Sequence, residues 1–153
     1  MTPPVRVDHV GIAVESIADG EPLLELLGAE KLVHKRDEAQ GFTWAYYELG
    51  NASRLELLEP IEGEESFLTG YLEARGPGLH HVTLEVADIE TTMDVLEAEG
   101  VRVIDYAERD GYLEAFVPPG DAAGVLFQLM EYTDSFQAEF GENAVIGGAR
   151  LGG

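Results

Sequence analysis

VDHVGIAVESI at residues 7–17 returns as LHHVTLEVADI at residues 79–89, aligned without a gap and matching at His9/His81, Val10/Val82, Val14/Val86 and Ile17/Ile89. The offset is 72 residues (81 minus 9), and it persists. LLELLGA (23–29) falls on VLEAEGV (95–101), placing Leu24 over Leu96, Glu25 over Glu97 and Gly28 over Gly100. RLELLE (54–59) falls on LFQLME (126–131), placing Glu56 over Gln128. Self-similarity at a fixed spacing means one supersecondary unit used more than once, so it decides the fold before any single element does.

Each repeat reads the same way. Apolar residues alternate in the first segment (Val10, Ile12, Val14; then Val82, Leu84, Val86), which is the period of a half-buried strand. Amphipathic helices are predicted near 16–28 and 88–99, stopped at Gly28 and Gly100. Three strands follow in each half, near 30–35, 42–49 and 53–59, then near 101–107, 112–117 and 124–131. The expected fold class is therefore α+β. It consists of two tandem βαβββ modules, about 5–60 and 77–132, related by pseudo-twofold symmetry and forming a curved, mostly antiparallel sheet around a central site. One domain spans 1–153. The linking stretch EESFLTGYLEARGPG holds a short helix ended by Gly76-Pro77-Gly78, and 133–153 forms a tail outside the repeat.

Thirty acidic residues against nine basic ones give a formal charge of −21, and only Lys31 and Lys35 are lysines. Nucleic acid and anionic membranes are disfavoured as partners, because neutralising phosphates needs a basic stripe. Mutual repulsion at this charge is screened in molar salt, where the Debye length is roughly 3 Å. Together with the scarcity of lysine, that points to the cytoplasm of a halophile. A hydrophobic content of 45% argues against disorder. No apolar run is long enough to cross a bilayer, and MTPPVRVDHV lacks a signal peptide's apolar centre. With no cysteine, any metal must be held by His, Asp, Glu, Gln or backbone.

Because Val10, Ile12 and Val14 share one face of the first strand, His9 points to the other, and His81 does so in the second module. Glu56 and Gln128 each interrupt an otherwise apolar strand. A buried amide without a partner costs on the order of 1–3 kcal/mol, so Gln128 is expected to have something to bind. Taken singly, each residue has a plain structural reading: a hydrogen-bonded strand histidine, a Glu56 paired with Arg54, a Gln128 satisfying backbone. The shared offset changes the weighing. Two modules related by a pseudo-twofold would bring His9, His81, Glu56 and Gln128 to a common axis, a donor set suited to a divalent Co, Ni, Mn, Fe or Zn ion. His80 must point to the opposite face and reads as structural, and His34 reads as solvated.

DHVGIAV (8–14), LGNASRLELLEP (49–60), GYLEARGPGLHHVTLEVADIE (70–90), GVRVID (100–105) and GVLFQLME (124–131) resemble the vicinal oxygen chelate superfamily, and within it the methylmalonyl-CoA epimerase family. The resemblance implies metal ligands at His9, Glu56, His81 and Gln128, a CoA-thioester substrate and a homodimer. One departure stands out. The family carries a carboxylate, both ligand and base, where this chain has Gln128. Some members carry Gln at the position of Glu56, so this chain looks like the same ligand set exchanged between its halves, with Glu56 as the candidate base.

Removing a proton α to a thioester carbonyl needs a base within reach and a Lewis acid for the developing oxyanion. The leading expectation is a metal-dependent epimerase in which Glu56 and Gln128 sit at the reacting centre, with Trp44, Tyr46, Glu48 and Glu114 on the substrate side. Tyr46, Glu48 and Glu114 are the candidates for the second proton carrier. Two alternatives stay open. One is a glyoxalase-like lyase or isomerase acting on another small substrate, favoured by the divergent segment 109–123. The other is a metal-free binding module of the bleomycin-resistance kind, with Trp44, Tyr46 and Tyr47 stacking on a ligand.

Overall fold

The alternating segments become strands, and the computed structural model describes residues 5–50 and 53–133. Among these the elements run β1 (Val5–Ala13), α1 (Ile17–Leu26), β2 (Glu30–Asp37), β3 (Phe42–Glu48), β4 (Arg54–Pro60), α2 (Phe67–Arg75), β5 (Gly78–Val86), α3 (Ile89–Ala98), β6 (Ile104–Arg109), β7 (Tyr112–Val117) and β8 (Phe127–Tyr132). The predicted tail beyond Thr133 lies outside the described residues. Two compact units divide the described residues: one within residues 9–80, the other made of residues 5–8 and 81–133.

In the first unit β2, β3 and β4 pair antiparallel, and β1 pairs parallel with β4 through Gly11↔Glu56 and its neighbours. In the second, β6, β7 and β8 pair antiparallel, and β5 pairs parallel with β8 through Thr83↔Gln128. Parallel neighbours require a crossover, and α1 and α3 begin those crossovers. Each helix packs on one face of its own strands. Val14, Ile17, Leu24, Ala45, Tyr47 and Leu57 form one core, and Val86, Ile89, Ala115, Val117 and Leu129 form the other. The opposite face of every strand is left for His9, Trp44, Tyr46, Arg54 and Glu56 in one unit and His81, Thr83, Glu114 and Gln128 in the other.

The two helices start by the same device. Ser16, the N-cap of α1, makes no side-chain cap bond; instead Glu59 Oε1, on β4, accepts from Ile17 N at 2.9 Å. Seventy-two residues on, Glu131 Oε1, on β8, accepts from Ile89 N at 2.8 Å, beside the ordinary Asp88 cap on Thr91 N. A strand-borne carboxylate thus satisfies an exposed helical N–H and meets the positive end of the helix dipole. Gly28 and Gly100 end their helices at φ 85 and 83, a backbone that side-chain-bearing residues rarely adopt. The capping box of Ser66 and Thr69 starts α2, and Gly76 follows it.

Two predicted boundaries move. The segment 101–103 joins no ladder, because Val101 N donates to Leu96 O and Arg102 N to the Asp121 carboxylate; β6 starts at Ile104. β8 starts at Phe127 rather than 124, because a 3-10 turn at Pro119–Asp121 and the bond from Gly124 N to Pro119 O hold the preceding residues in a loop.

Tyr47 ties α1 to its sheet: its hydroxyl donates to Glu21 Oε2 at 2.6 Å, and Lys31 Nζ reaches the same oxygen at 2.9 Å. These two donors, Tyr47 first, hold the Glu21 carboxyl below its usual range. Burial, and then the bond to Glu21, pushes the Tyr47 phenol above its ordinary value. The unfolded chain therefore loses the phenolic proton first, so the stability that this group contributes is complete below about pH 10 and declines as pH rises beyond it. Tyr47→Phe should cost about 1 kcal/mol at neutral pH and flatten that alkaline decline in urea titrations. Glu59→Ala should cost about 1 kcal/mol by the loss of its cap, with Glu59→Gln recovering most of it.

Candidate functional site

β1 and β4 build the first half of the site. Gly11 lies opposite Glu56 and has no side chain, and His9 stands two residues earlier on the same face. Glu56 is thereby left facing His9, with Nε2 and Oε1 3.4 Å apart and both residues buried. Two ligands, each about 2.1 Å from a divalent cation at angles of 90–110°, have donors roughly 3.0–3.4 Å apart. The observed separation and the chemistry of the pair, an imidazole and a carboxylate, fit neighbouring ligands on such an ion.

Tyr46, opposite Glu56 in the β3–β4 register, packs its ring against His9 at 4.8 Å and against Trp44 at 4.9 Å. The Arg54 guanidinium lies over the same Tyr46 ring at 4.8 Å. Trp44 and Tyr46 are 6% and 2% exposed, so they form a floor beneath His9 rather than an open stacking platform. Glu48 is half-buried and pairs in register with Arg54.

The second half repeats the construction with different side chains. His81 stands two residues before Thr83, and Thr83 lies opposite Gln128. Here the opposing residue does have a side chain. Thr83 Oγ1 donates to Gln128 Oε1 at 2.6 Å, and Gln128 Nε2 donates to Glu114 Oε1 at 2.8 Å. Arg109 Nε in turn donates to Glu114 Oε2 at 2.7 Å. Gln128 thus has the partners that its burial called for: protein groups engage both ends of its amide. The Glu114 carboxylate also fixes the amide's orientation, since a flipped Gln128 would turn its carbonyl towards an anion. Glu114 accepts at both oxygens, from Gln128 and from Arg109.

The sequence reading gave Thr83 no role and offered Arg54 only as a pairing partner of Glu56, although each stands two residues from a chosen side chain on the same face. A second polar cluster went unforeseen. Arg6 pairs with Asp8 and Glu85, each at 2.9 Å, and the Tyr132 hydroxyl donates to Asp8 Oδ2 at 2.8 Å. His80 packs against the rings of Phe67 and Tyr71 at 5.1 and 4.9 Å, and His34 is exposed, both as expected. No described helix is long and apolar enough to cross a membrane.

The family model described as the Glyoxalase/Bleomycin resistance protein/Dioxygenase superfamily matches residues 8–116. The uncharacterized protein YqjC of Bacillus subtilis is 35% identical over 130 residues, covering 82% of this chain and 91% of that one. Ethylmalonyl-CoA/methylmalonyl-CoA epimerase of Cereibacter sphaeroides is also 35% identical over 130 residues, covering 81% of this chain and 96% of that one. The crystal structure of methylmalonyl-CoA epimerase from Mycobacterium tuberculosis matches with a TM-score of 0.79 at 30% identity, covering 90% of this chain and 95% of that one. That likeness bears out the mixed α+β fold expected from the repeat and the vicinal oxygen chelate fold implied by the resemblance. The chain belongs to the glyoxalase/bleomycin resistance/dioxygenase superfamily, with relatives named methylmalonyl-CoA epimerase among its matches.

Proposed function

We propose that this protein is a divalent-metal-dependent epimerase that removes the proton α to the thioester carbonyl of a methylmalonyl-CoA-like substrate. The observation that carries this reading is the buried His9–Glu56 pair at ligand spacing, with His81 and Gln128 at the equivalent positions of the second module. The relatives' names supply the substrate class. In this reading residues 9–80 and 81–133 act as one domain. His9, Glu56 and His81 hold the cation, and the second lone pair of Gln128 Oε1 is the fourth donor. The bound ion would act as a Lewis acid for the thioester oxygen, which is what makes the α proton removable near neutral pH.

The chain's own groups do the rest. Glu56 takes the proton; Gln128, an amide, has no usable proton affinity for that step. Tyr46, backed by Trp44, holds His9 from one side and keeps bulk water from the imidazole. Epimerisation requires return of a proton on the opposite face, and Tyr46, Glu48 and Glu114 are the residues proposed for it. The −21 charge fits a high-salt cytoplasm, in which screening relieves the repulsion between surface carboxylates.

Methylmalonyl-CoA incubated in D2O with the Co2+-loaded protein at high salt should exchange its C2 proton. A rate no higher than the uncatalysed one would reject the epimerase reading. Elemental analysis should find about one cation per chain, and His81→Ala should lower its affinity by more than the ~10–100-fold that loss of an outer partner costs. Thr83→Val removes the hydroxyl that occupies Gln128 Oε1, and should tighten metal binding several-fold; unchanged affinity would remove Gln128 from the ligand set.

A further inference from the structure

Residues 5–8 are built inside out. The strand puts Val5 and Val7 on one face and Arg6 and Asp8 on the other, yet the valines are 41% and 56% exposed while Asp8 is 1% exposed. Hydrophobic burial holds little of this segment; polar contacts hold it instead. Arg6 Nη2 donates to Asp8 Oδ1 at 2.9 Å and reaches Glu85 Oε1 at the same distance, and Arg6 Nε donates to that Glu85 oxygen at 3.0 Å. The Tyr132 hydroxyl donates to the other Asp8 oxygen at 2.8 Å. Glu85, also 1% exposed, stands on the face of β5 that carries His81 and Thr83.

All four residues belong to the unit made of residues 5–8 and 81–133, and His9, the next residue of the same strand, begins the other unit. A slip of β1 by one residue would bury the two valines, which hydrophobicity favours, and would turn His9 to the opposite face. Something must oppose that slip. Buried ions are poor stabilisers but good setters of register, because a shifted strand leaves them unpaired. We infer that Arg6, Asp8, Glu85 and Tyr132 form a register lock: they pin the first strand, one residue before His9, to the module that carries His81, and so act as positioning residues for the two imidazoles. The inference rests on the reading of His9 and His81 as ligands of one ion. The inverted pattern of residues 5–8 is what a lock of this kind requires, since an apolar inner face would fit equally well after a shift of two residues, whereas Arg6 and Asp8 find their partners in one register.

The test reads Co2+ affinity by calorimetry, and local order by amide hydrogen exchange of the metal-free protein. Asp8→Asn and Arg6→Gln should each weaken Co2+ binding by about 10–100-fold, the scale of losing a partner that orients a ligand, and should speed exchange within β1 while leaving β3 and β7 unchanged. Tyr132→Phe, which keeps every charge and the ring, should show the same pattern at about 3–10-fold, and it serves if the charge variants do not fold. Adding Val5→Thr and Val7→Thr to Asp8→Asn removes the gain from slipping, so this triple variant should recover most of the lost affinity. Ser66→Ala, which costs α2 its cap, should stay within about 2-fold of wild type in affinity. Threonines that rescue nothing would overturn the lock. So would a cluster variant whose exchange rises uniformly, or whose loss of affinity Ser66→Ala matches, since the cluster would then serve stability alone. If wild type binds no Co2+, the metal reading fails by itself, and the exchange pattern still decides whether the cluster fixes the strand.

Discussion

Parallel pairing of the first and last strands of each module is the constraint on which the rest depends. A βαβββ chain can hydrogen-bond β1 to β4, or β5 to β8, only by carrying the intervening elements around, and once it has done so the register is tightly specified. Gly11 meets Glu56 and Thr83 meets Gln128, so each histidine, two residues earlier, stands diagonally from the polar residue of its partner strand. Glu59 and Glu131 lock this arrangement from the far end of the same strands, each accepting from the first N–H of its module's helix. A slip of β4 by one residue would break that bond and turn Glu56 into the helix-packed core.

The two modules differ where the chemistry does. Opposite Glu56 the chain has glycine, and the carboxylate meets His9. Opposite Gln128 it has Thr83, whose hydroxyl takes the amide oxygen, while Glu114 and Arg109 hold the amide nitrogen's side. The carboxylate thus stands in the half without a competing hydroxyl, and the half that has one carries a neutral amide whose oxygen the hydroxyl engages.

Much of this was legible in the sequence because a repeat doubles the signal: an isolated histidine in a strand says little, but His9 and His81 at a common offset with Glu56 and Gln128 identify a face. Strand and helix order followed from periodicity, and the helix ends from Gly28 and Gly100. Hydrogen-bond competition was not legible. The starts of β6 and β8 moved because the side chain of Asp121 and a turn at Pro119 claimed backbone donors, and neither leaves a periodic trace. Gln128's partners, the Arg6–Asp8–Glu85 cluster and the placement of Arg54 over Tyr46 come from residues brought together by pairing or face-sharing, which a single sequence does not display.

The central claim is that imidazoles from both modules bind one ion. X-ray absorption of the Co2+-loaded protein measures this most directly, because imidazole rings give a distinctive outer scattering pattern whose amplitude counts them. Two imidazoles with oxygen donors completing the shell is the expected result. One imidazole, or none, would contradict a site shared by His9 and His81 and leave the repeat as a feature of folding alone.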